Sequence, residues 1–500
     1  MAMQPTAWAQ YWLSLATYAS YHATAFKEVI MVQTATGEAT GQQFLAEPFF
    51  FSGATRAELM ANLACGRAMC QQESLAWANG QWHAWARRCY LVSSLPGNHW
   101  RVGICCSNPP ALREGIVNAL AFLEGQTRQI RGFYFGQGYR SGRLAFLFPG
   151  QGSQRVDMLR ELIESYPEGG ASMWRADSLL DGMWHQPLSR FIYPRSPGSE
   201  QERTAWEQEL ADTSITQPAL GAVELAMLSI LRRFGIHPDM VAGHSYGDLV
   251  ALAAAGAISK DDLLHLSVIR GALCARAGRS HDAVVAAVQA QESVVREVIE
   301  QARAHVRICY MNSPRQTVVA GKPAMMDQVI PLFQCRGIKV KRLNLSMAFH
   351  VPELEPASVG MHEALQAILV QRPQTPVYLS VLGAPYTGDS GMLRKVMARH
   401  LVMPVRFMAT VEAMYEQGGA RIFLEIGPRR TLTGLVSQIL GEREHQAMAL
   451  DDGAGSGREQ LAHVLAALHA TGAPVNLDAW FVQDKGWAGT TERPAEITWQ

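Results

Sequence analysis

A short apolar strand that runs through Gly-x-Ser-x-Gly into a helix leaves a chain few folds to choose from. Here Met240–Ala242 reads as the strand and Gly243-His244-Ser245-Tyr246-Gly247 as the turn. The run LVALAAAGAI, residues 249–258, reads as the helix. So sharp a turn lifts the serine hydroxyl to the head of the helix, and glycines two residues to either side leave it steric room. The helix N-terminus then offers backbone N–H groups to a developing negative charge. Ser245 is the candidate nucleophile; a purely structural turn is the competing reading.

The flanking sequence fits an α/β architecture. LAFLFPG (144–150) is a buried strand broken by Pro-Gly. Leu220, Val223, Met227, Ile230, Leu231 and Phe234 share a helical face, and Gly235 follows as a C-cap would. Ser259 opens a further helix, with Asp262 three residues on. Residues 284–347 read as β-α-β-β-α-β, the ferredoxin-like arrangement. After His350 the chain returns to mixed α/β, with a helix over 405–415 and the strand ARIFLEIGP (420–428).

Upstream, residues 46–140 read as a small α/β unit. EPFFFSG (47–53) is a strand, Thr55–Cys70 a helix, CYLVSS (89–94) and HWRVGICCS (99–107) strands, and Pro109-Pro110 opens a helix to Leu123. Trp8, Tyr11, Trp12, Leu15 and Ala19 recur at helical spacing, so a packed or docking helix is expected there, followed by a loop. The tail from Gln483 reads as irregular.

Composition narrows the function. Lys+Arg and Asp+Glu are both 44, so nothing points to a dedicated nucleic-acid binder. The longest strongly apolar run, Leu249–Ile258, is half of the roughly 20 residues that span a bilayer, so no membrane association is expected. Eight cysteines without a C-x-x-C pair suit reduced thiols in a cytoplasmic protein and suggest no metal site. The nucleophile needs a base. Among fifteen histidines, His350 closes SMAFH directly after the last strand of the 284–347 unit, where a base could face the turn; His244 reads as a support of the turn.

Seven motifs in order carry a resemblance: LAFLFPGQGSQ, TQPALGAVELAM, AGHSYGDLVALAAAGAIS, IRGALC, MNSPRQTVVAG, MAFHVPELEP and LEIGPRRTLTGL. Together they resemble the malonyl-CoA:acyl-carrier-protein transacylases, in the form found in polyketide and polyunsaturated fatty acid synthases. FFFSG, with the helix and strands after it, resembles the linker domain between ketosynthase and acyltransferase. PVNLDAWF (474–481) resembles the linker after the acyltransferase. The resemblance implies a large α/β-hydrolase-like acyltransferase domain (141–283 and 348–475) with an inserted ferredoxin-like subdomain (284–347). It also implies an N-terminal helix and linker (1–45), a small α/β linker domain (46–140) and a tail (476–500).

The implied activity is transfer of malonyl from malonyl-CoA to the phosphopantetheine thiol of an acyl carrier protein, in polyketide or fatty acid biosynthesis. No cofactor would be bound, and other synthase subunits are possible partners. By the resemblance Ser245 and His350 form a dyad. The N–H groups of Gln151 and Tyr246 form the oxyanion hole, and Arg270 grips the malonyl carboxylate; a salt-bridged helix arginine is the plain alternative. Asn312, His244, Phe349 and Gln417 complete the candidate substrate site, the segment at Gln417 supplying the carbonyl that orients the histidine. Asp248 stands where the family usually has Glu, Tyr246 is bulkier than usual, and Met347 replaces a common His. Ala348-Phe349-His350 is the pattern of malonyl rather than methylmalonyl selection. An acyl hydrolase and a non-catalytic docking subunit are the alternatives, and a stand-alone trans-acting enzyme is preferred over an excised domain.

Overall fold

The computed structural model describes residues 46–70, 79–94, 97–126, 132–137, 142–194, 199–278, 282–343, 347–453 and 455–481. The aromatic N-terminal helix, the loop before residue 46 and the polar tail lie outside them.

Three antiparallel strands, β1 (Glu47–Gly53), β2 (Trp100–Cys106) and β3 (Phe133–Gln137), form the first sheet in that order. Side chains alternate between its faces. Phe51 and Ile104 therefore meet the helices Arg56–Cys70 and Pro109–Leu123, where Gly66 and Gly115 leave them room. Phe50 and Gly103 face the other way, against the helix Gly457–Ala470; the Phe50 and His469 rings are 4.6 Å apart. That helix, expected within the large subdomain, packs on β1, β2 and β3 because both faces of this apolar sheet need covering.

The run CYLVSS, expected as a strand, is instead the last turn and a half of a helix, Asn79–Ser93. The buried positions Trp82, Trp85, Ala86, Cys89, Tyr90 and Ser93 explain why. They recur at three- and four-residue spacing, a helical stripe of which a six-residue window shows only the end.

The second sheet holds six strands: β4 (Arg143–Phe148), β5 (Met240–Gly243), β10 (Val377–Leu379), β11 (Ala384–Pro385), β12 (Ala420–Glu425) and β13 (Gln446–Ala449), in the order β11-β10-β5-β4-β12-β13. All pairs are parallel except β10 with β11. Parallel strands are buried on both faces, which is why β4 and β12 read as continuous apolar runs. The sheet is covered by helices that include Thr213–Arg233, Gly247–Ala254 and Lys260–Gly278.

The helix expected from Leu220 begins seven residues earlier, at Thr213. Asp212 caps it by accepting from the Ser214 N–H, and Pro218 stands inside it. Every residue from Ile215 to Leu231 is buried, so no polar face marks the start. Among the described residues it is long and apolar enough to span a bilayer, yet 94% of that stretch is packed inside the protein.

Between the helix Lys260–Gly278 and β10 lies a β-α-β-β-α-β unit. Its strands are β6 (Val284–Val288), β7 (Val306–Ser313), β8 (Gln316–Gly321) and β9 (Val340–Leu343), all antiparallel, in the order β7-β8-β6-β9. The helices Glu292–Ala302 and Pro323–Cys335 cover one face of this sheet, and Ala286, Val288, Val319 and Phe333 fill the core between them.

Candidate functional site

The turn after β5 is as tight as Gly-x-Ser-x-Gly requires. A Cβ on Gly243 would sit 1.9 Å from the Gly247 carbonyl carbon, and one on Gly247 would sit 2.0 Å from the Phe148 carbonyl oxygen. Ser245 is held at φ 54°, the left-handed region that a side chain adopts only at a cost of about 1–3 kcal/mol. Its Oγ lies 2.6 Å from His350 Nε2, across 105 residues of sequence. Both residues are buried, and His350 too has positive φ, 61°.

The histidine's other nitrogen settles its tautomer. Nδ1 lies 2.8 Å from the Met403 carbonyl oxygen and 3.0 Å from that of His400. Nδ1–H therefore donates to the carbonyls, and Nε2 is left to accept from the serine hydroxyl. Burial first, then the nearby His400 and Arg270, hold the His350 pKa well below its ordinary value. The imidazole is neutral, as a base must be. Gln417, expected to mark the orienting carbonyl, instead caps the helix Phe407–Glu416 at its C-terminal end and lines a surface cleft with Gly142, Arg143 and Gly419. The orienting segment lies some fifteen residues earlier, at the short turn His400–Val402.

Sequence reasoning also missed what holds that turn. Asp248, wholly buried, accepts from the Gly243 N–H at 3.1 Å through Oδ1. Through Oδ2 it accepts from the Ser380 N–H at 2.9 Å, the Ser380 hydroxyl at 2.7 Å and His400 Nε2 at 3.0 Å. One carboxylate thus ties the serine's turn to the residue whose carbonyl holds the base. Burial outweighs the donors from Ser380 and Gly243 and raises its pKa to about 7. The available signal was an acidic residue in the first turn of an otherwise apolar helix, but its partners are 132 and 152 residues away.

Arg270 is buried in the helix Lys260–Gly278. Its Nη1 donates to Gln217 Oε1 at 2.8 Å, and its Nη2 is buried without a partner among the described residues. No carboxylate neutralises it among the described residues, so the salt-bridged alternative is not what the geometry contains. Its guanidinium carbon lies 5.9 Å from the centre of the Tyr246 ring. Gln217 Nε2 in turn donates to Thr213 Oγ1 at 2.9 Å, and that hydroxyl donates to Gln151 Oε1 at 2.6 Å. This chain of side chains joins the cation to the loop after β4.

That loop runs along the serine turn. A Cβ on Gly150 would meet the His244 carbonyl oxygen at 2.4 Å and the Tyr246 nitrogen at 3.4 Å. Among the described residues, the backbone N–H groups of Gln151 and Tyr246 donate to no other group. The Tyr246 side chain points away into the core, its hydroxyl 2.7 Å from Ser267 Oγ.

His244 and Asn312 support each other: Nε2 of the one lies 2.8 Å from Oδ1 of the other, and Asn312 Nδ2 donates to Gln316 Oε1 at 2.8 Å. The His244 ring stacks on Tyr310 at 5.5 Å, and Tyr310 lies edge-on to His350 at 5.1 Å. Asn312 is thus a brace between the two sheets. Phe349 is buried beside the base. Among the described residues no group of three His, Cys, Asp or Glu is placed to hold a metal ion.

Comparison with known proteins agrees with this architecture. The chain is 34% identical over 370 residues to the polyketide synthase GfsA of Streptomyces halstedii, a match covering 73% of this chain and 5% of that protein. It is 30% identical over 316 residues to the malonyl CoA-acyl carrier protein transacylase of Bacillus subtilis, covering 62% of this chain and 94% of that one. Among solved structures it is similar to the acyltransferase domain from the second module of the salinomycin polyketide synthase. There the TM-score is 0.65 at 25% identity, over 90% of this chain and 96% of that one. The chain spans only 5% and 6% of the length of the first two polyketide synthases it matches. Residues 145–470 match the acyl transferase domain, which takes in Ser245, His350, Arg270 and Gln151 together, and the chain belongs to that family.

Proposed function

We propose that the protein transfers malonyl from malonyl-CoA to the phosphopantetheine thiol of an acyl carrier protein, through an ester on Ser245. The observation that carries this reading is the Ser245 Oγ–His350 Nε2 contact of 2.6 Å, beside a buried arginine with an unsatisfied donor. A buried cation without a counter-ion is costly. A substrate carboxylate would relieve that cost with charge-assisted hydrogen bonds to the planar guanidinium.

In this mechanism His350 Nε2 takes the hydroxyl proton as Ser245 Oγ attacks the thioester carbonyl. The negative charge moves to the carbonyl oxygen, where the N–H groups of Gln151 and Tyr246 receive it in this reading. Collapse of the intermediate expels the CoA sulfur, which takes the proton from His350. The carrier's thiol then gives its proton to His350 and attacks the ester, and Ser245 recovers its proton as the acyl group leaves. The carbonyls of His400 and Met403 stabilise the imidazolium that forms twice per cycle.

The test is intact-protein mass spectrometry after mixing with malonyl-CoA, methylmalonyl-CoA or acetyl-CoA. A malonyl adduct on Ser245, absent from Ser245→Ala and discharged by a phosphopantetheinylated carrier protein, is expected. An adduct lost to water as fast as to the carrier would favour a hydrolase instead.

A further inference from the structure

Gln151 has few anchors for a residue whose N–H must hold a fixed direction. Among the described residues neither its N–H nor its carbonyl bonds to another backbone group. Its neighbours in the loop are held on the side away from it. The Ser153 N–H and hydroxyl both donate to the Gly150 carbonyl, at 3.3 and 2.8 Å, and Arg429 Nε donates to the Ser153 carbonyl at 3.1 Å. Gln151 is tied through its side chain, by the 2.6 Å bond that its Oε1 accepts from the Thr213 hydroxyl.

The polarity of that bond follows from Arg270. A guanidinium only donates, so the Gln217 atom facing it is the amide oxygen. The Gln217 nitrogen is thereby turned to Thr213 and donates to Oγ1. The Thr213 hydrogen is left for Gln151, whose amide presents its oxygen. Turning the Gln217 amide over would set donor against donor. Thr213, Gln217 and Arg270 are all buried, which makes each bond costly to lose. Helix packing holds the chain at a set length. Thr213 opens the helix Thr213–Arg233, and Gly271, next to Arg270, lets the helix Lys260–Gly278 close on it. A Cβ on Gly271 would lie 2.6 Å from the Thr213 carbonyl oxygen.

We propose that Thr213 is a positioning residue that couples the carboxylate clamp to the oxyanion hole. Its hydroxyl fixes the Gln151 side chain, and through it the direction of the Gln151 N–H, relative to Arg270. The proposal rests on the acyl-serine reading above and adds a residue to which that reading gives no part. A thioester whose carboxylate sits on Arg270 then meets the N–H at a set place. Loss of the Thr213 hydroxyl is therefore felt in the acylation step and not in binding.

The experiment uses the full chain with four changes: Thr213→Val, which keeps the branched shape; Thr213→Ser, which keeps the hydroxyl; Gln151→Ala, which keeps the backbone N–H; and Thr213→Val with Gln151→Ala together. Single-turnover acylation of Ser245 is measured over a range of malonyl-CoA concentrations. Removing an oxyanion donor outright costs about 10²- to 10³-fold in rate, and here the N–H is displaced rather than removed, so Thr213→Val should lower the maximal rate about tenfold. The half-saturating concentration should change by less than about twofold, because Arg270 still binds the carboxylate. Thr213→Ser should keep the rate of the unmodified protein. In the Gln151→Ala background Thr213→Val should cost nothing further, because the amide it acts through is gone.

A raised half-saturating concentration at unchanged maximal rate would overturn the proposal, since Thr213 would then serve the clamp alone. So would an undiminished effect of Thr213→Val in the Gln151→Ala background, a failure of Thr213→Ser to keep the rate, or no effect of either single change. If thermal melting shows Thr213→Val unfolded, Gln151→Ala breaks the same bond from a half-buried loop residue. It should show the same fall in rate, and an unchanged rate would overturn the proposal. Failure of the unmodified protein to be acylated at all would instead sink the acyl-serine reading on which the proposal depends.

Discussion

Replacing Asp248 by Asn tests whether one buried carboxylate holds both halves of the site. Asp248 receives four donors, one on Oδ1 and three on Oδ2. The amide keeps a single acceptor oxygen. Placed at the Oδ2 position it retains Ser380 and His400, but its NH2 then faces the Gly243 N–H, donor against donor. A buried polar group left unsatisfied costs about 1–3 kcal/mol, and the three remaining bonds lose their charge assistance. A stability loss of about 2–4 kcal/mol is expected. Catalysis should fall less than in a dyad deletion, because His350 Nδ1 keeps the Met403 carbonyl at 2.8 Å even if His400 shifts. Loosening one of two orienting acceptors is worth about 1–2 kcal/mol, or roughly 5- to 30-fold in the acylation rate. The assay is single-turnover acylation by malonyl-CoA at saturating donor, beside thermal melting. A melting temperature and acylation rate both equal to those of the unmodified protein would refute the argument. So would acylation abolished as completely as in His350→Ala, because the Met403 carbonyl would then contribute nothing.

The same geometry sets other outcomes. Arg270→Ala removes two charge-assisted bonds worth about 1.5–3 kcal/mol each, so malonyl labelling should fall by at least a hundredfold while acetyl labelling holds or rises. Equal malonyl labelling would exclude the carboxylate clamp. Ser245→Gly should abolish acylation and raise the melting temperature, because glycine adopts φ 54° without the side-chain penalty; calorimetry checks the sign. His350, His400 and His469 all have depressed pKa values from burial, His469 about 3. The unfolded chain therefore binds more protons below about pH 6.5, so stability should fall as pH drops through that value. The acid limb of acylation should likewise lie below the ordinary histidine range, which a pH-rate profile reads directly.

Glu224 has the opposite sign. Burial, reinforced by Glu425, raises its pKa well above the ordinary value, and both oxygens are buried without a partner among the described residues. The folded state holds its proton where the unfolded state has lost it, so stability contributed by this site declines as pH rises above about 4.3. Glu224→Gln should therefore stabilise the protein at pH 8 more than at pH 5. A melting difference independent of pH would show that Glu224 is ionised in the folded protein.

The serine turn and the order of strands and helices around it are legible because they are local. Gly243, Ser245 and Gly247 announce a strained turn within five residues, and the apolar runs of β4, β5 and β12 can only be buried strands. The helix Thr213–Arg233 reads too short from sequence because a helix buried all round has no polar face to mark its ends. CYLVSS reads as a strand because its helical stripe begins seven residues before the run, at Trp82. The partners in the site are decided otherwise. Ser245 and His350 are 105 residues apart, Asp248 and His400 are 152, and Arg270 and Gln217 are 53. Local propensity carries no record of such pairs. They meet because parallel β-strands return each connection to the same edge of one sheet, and the carbonyls that hold the base belong to whichever backbone segment that packing brings beneath it. Residue types and local turns were written in the chain. Which nitrogen faces which oxygen was settled by closure of the fold, where a buried donor must find an acceptor or destabilise the whole.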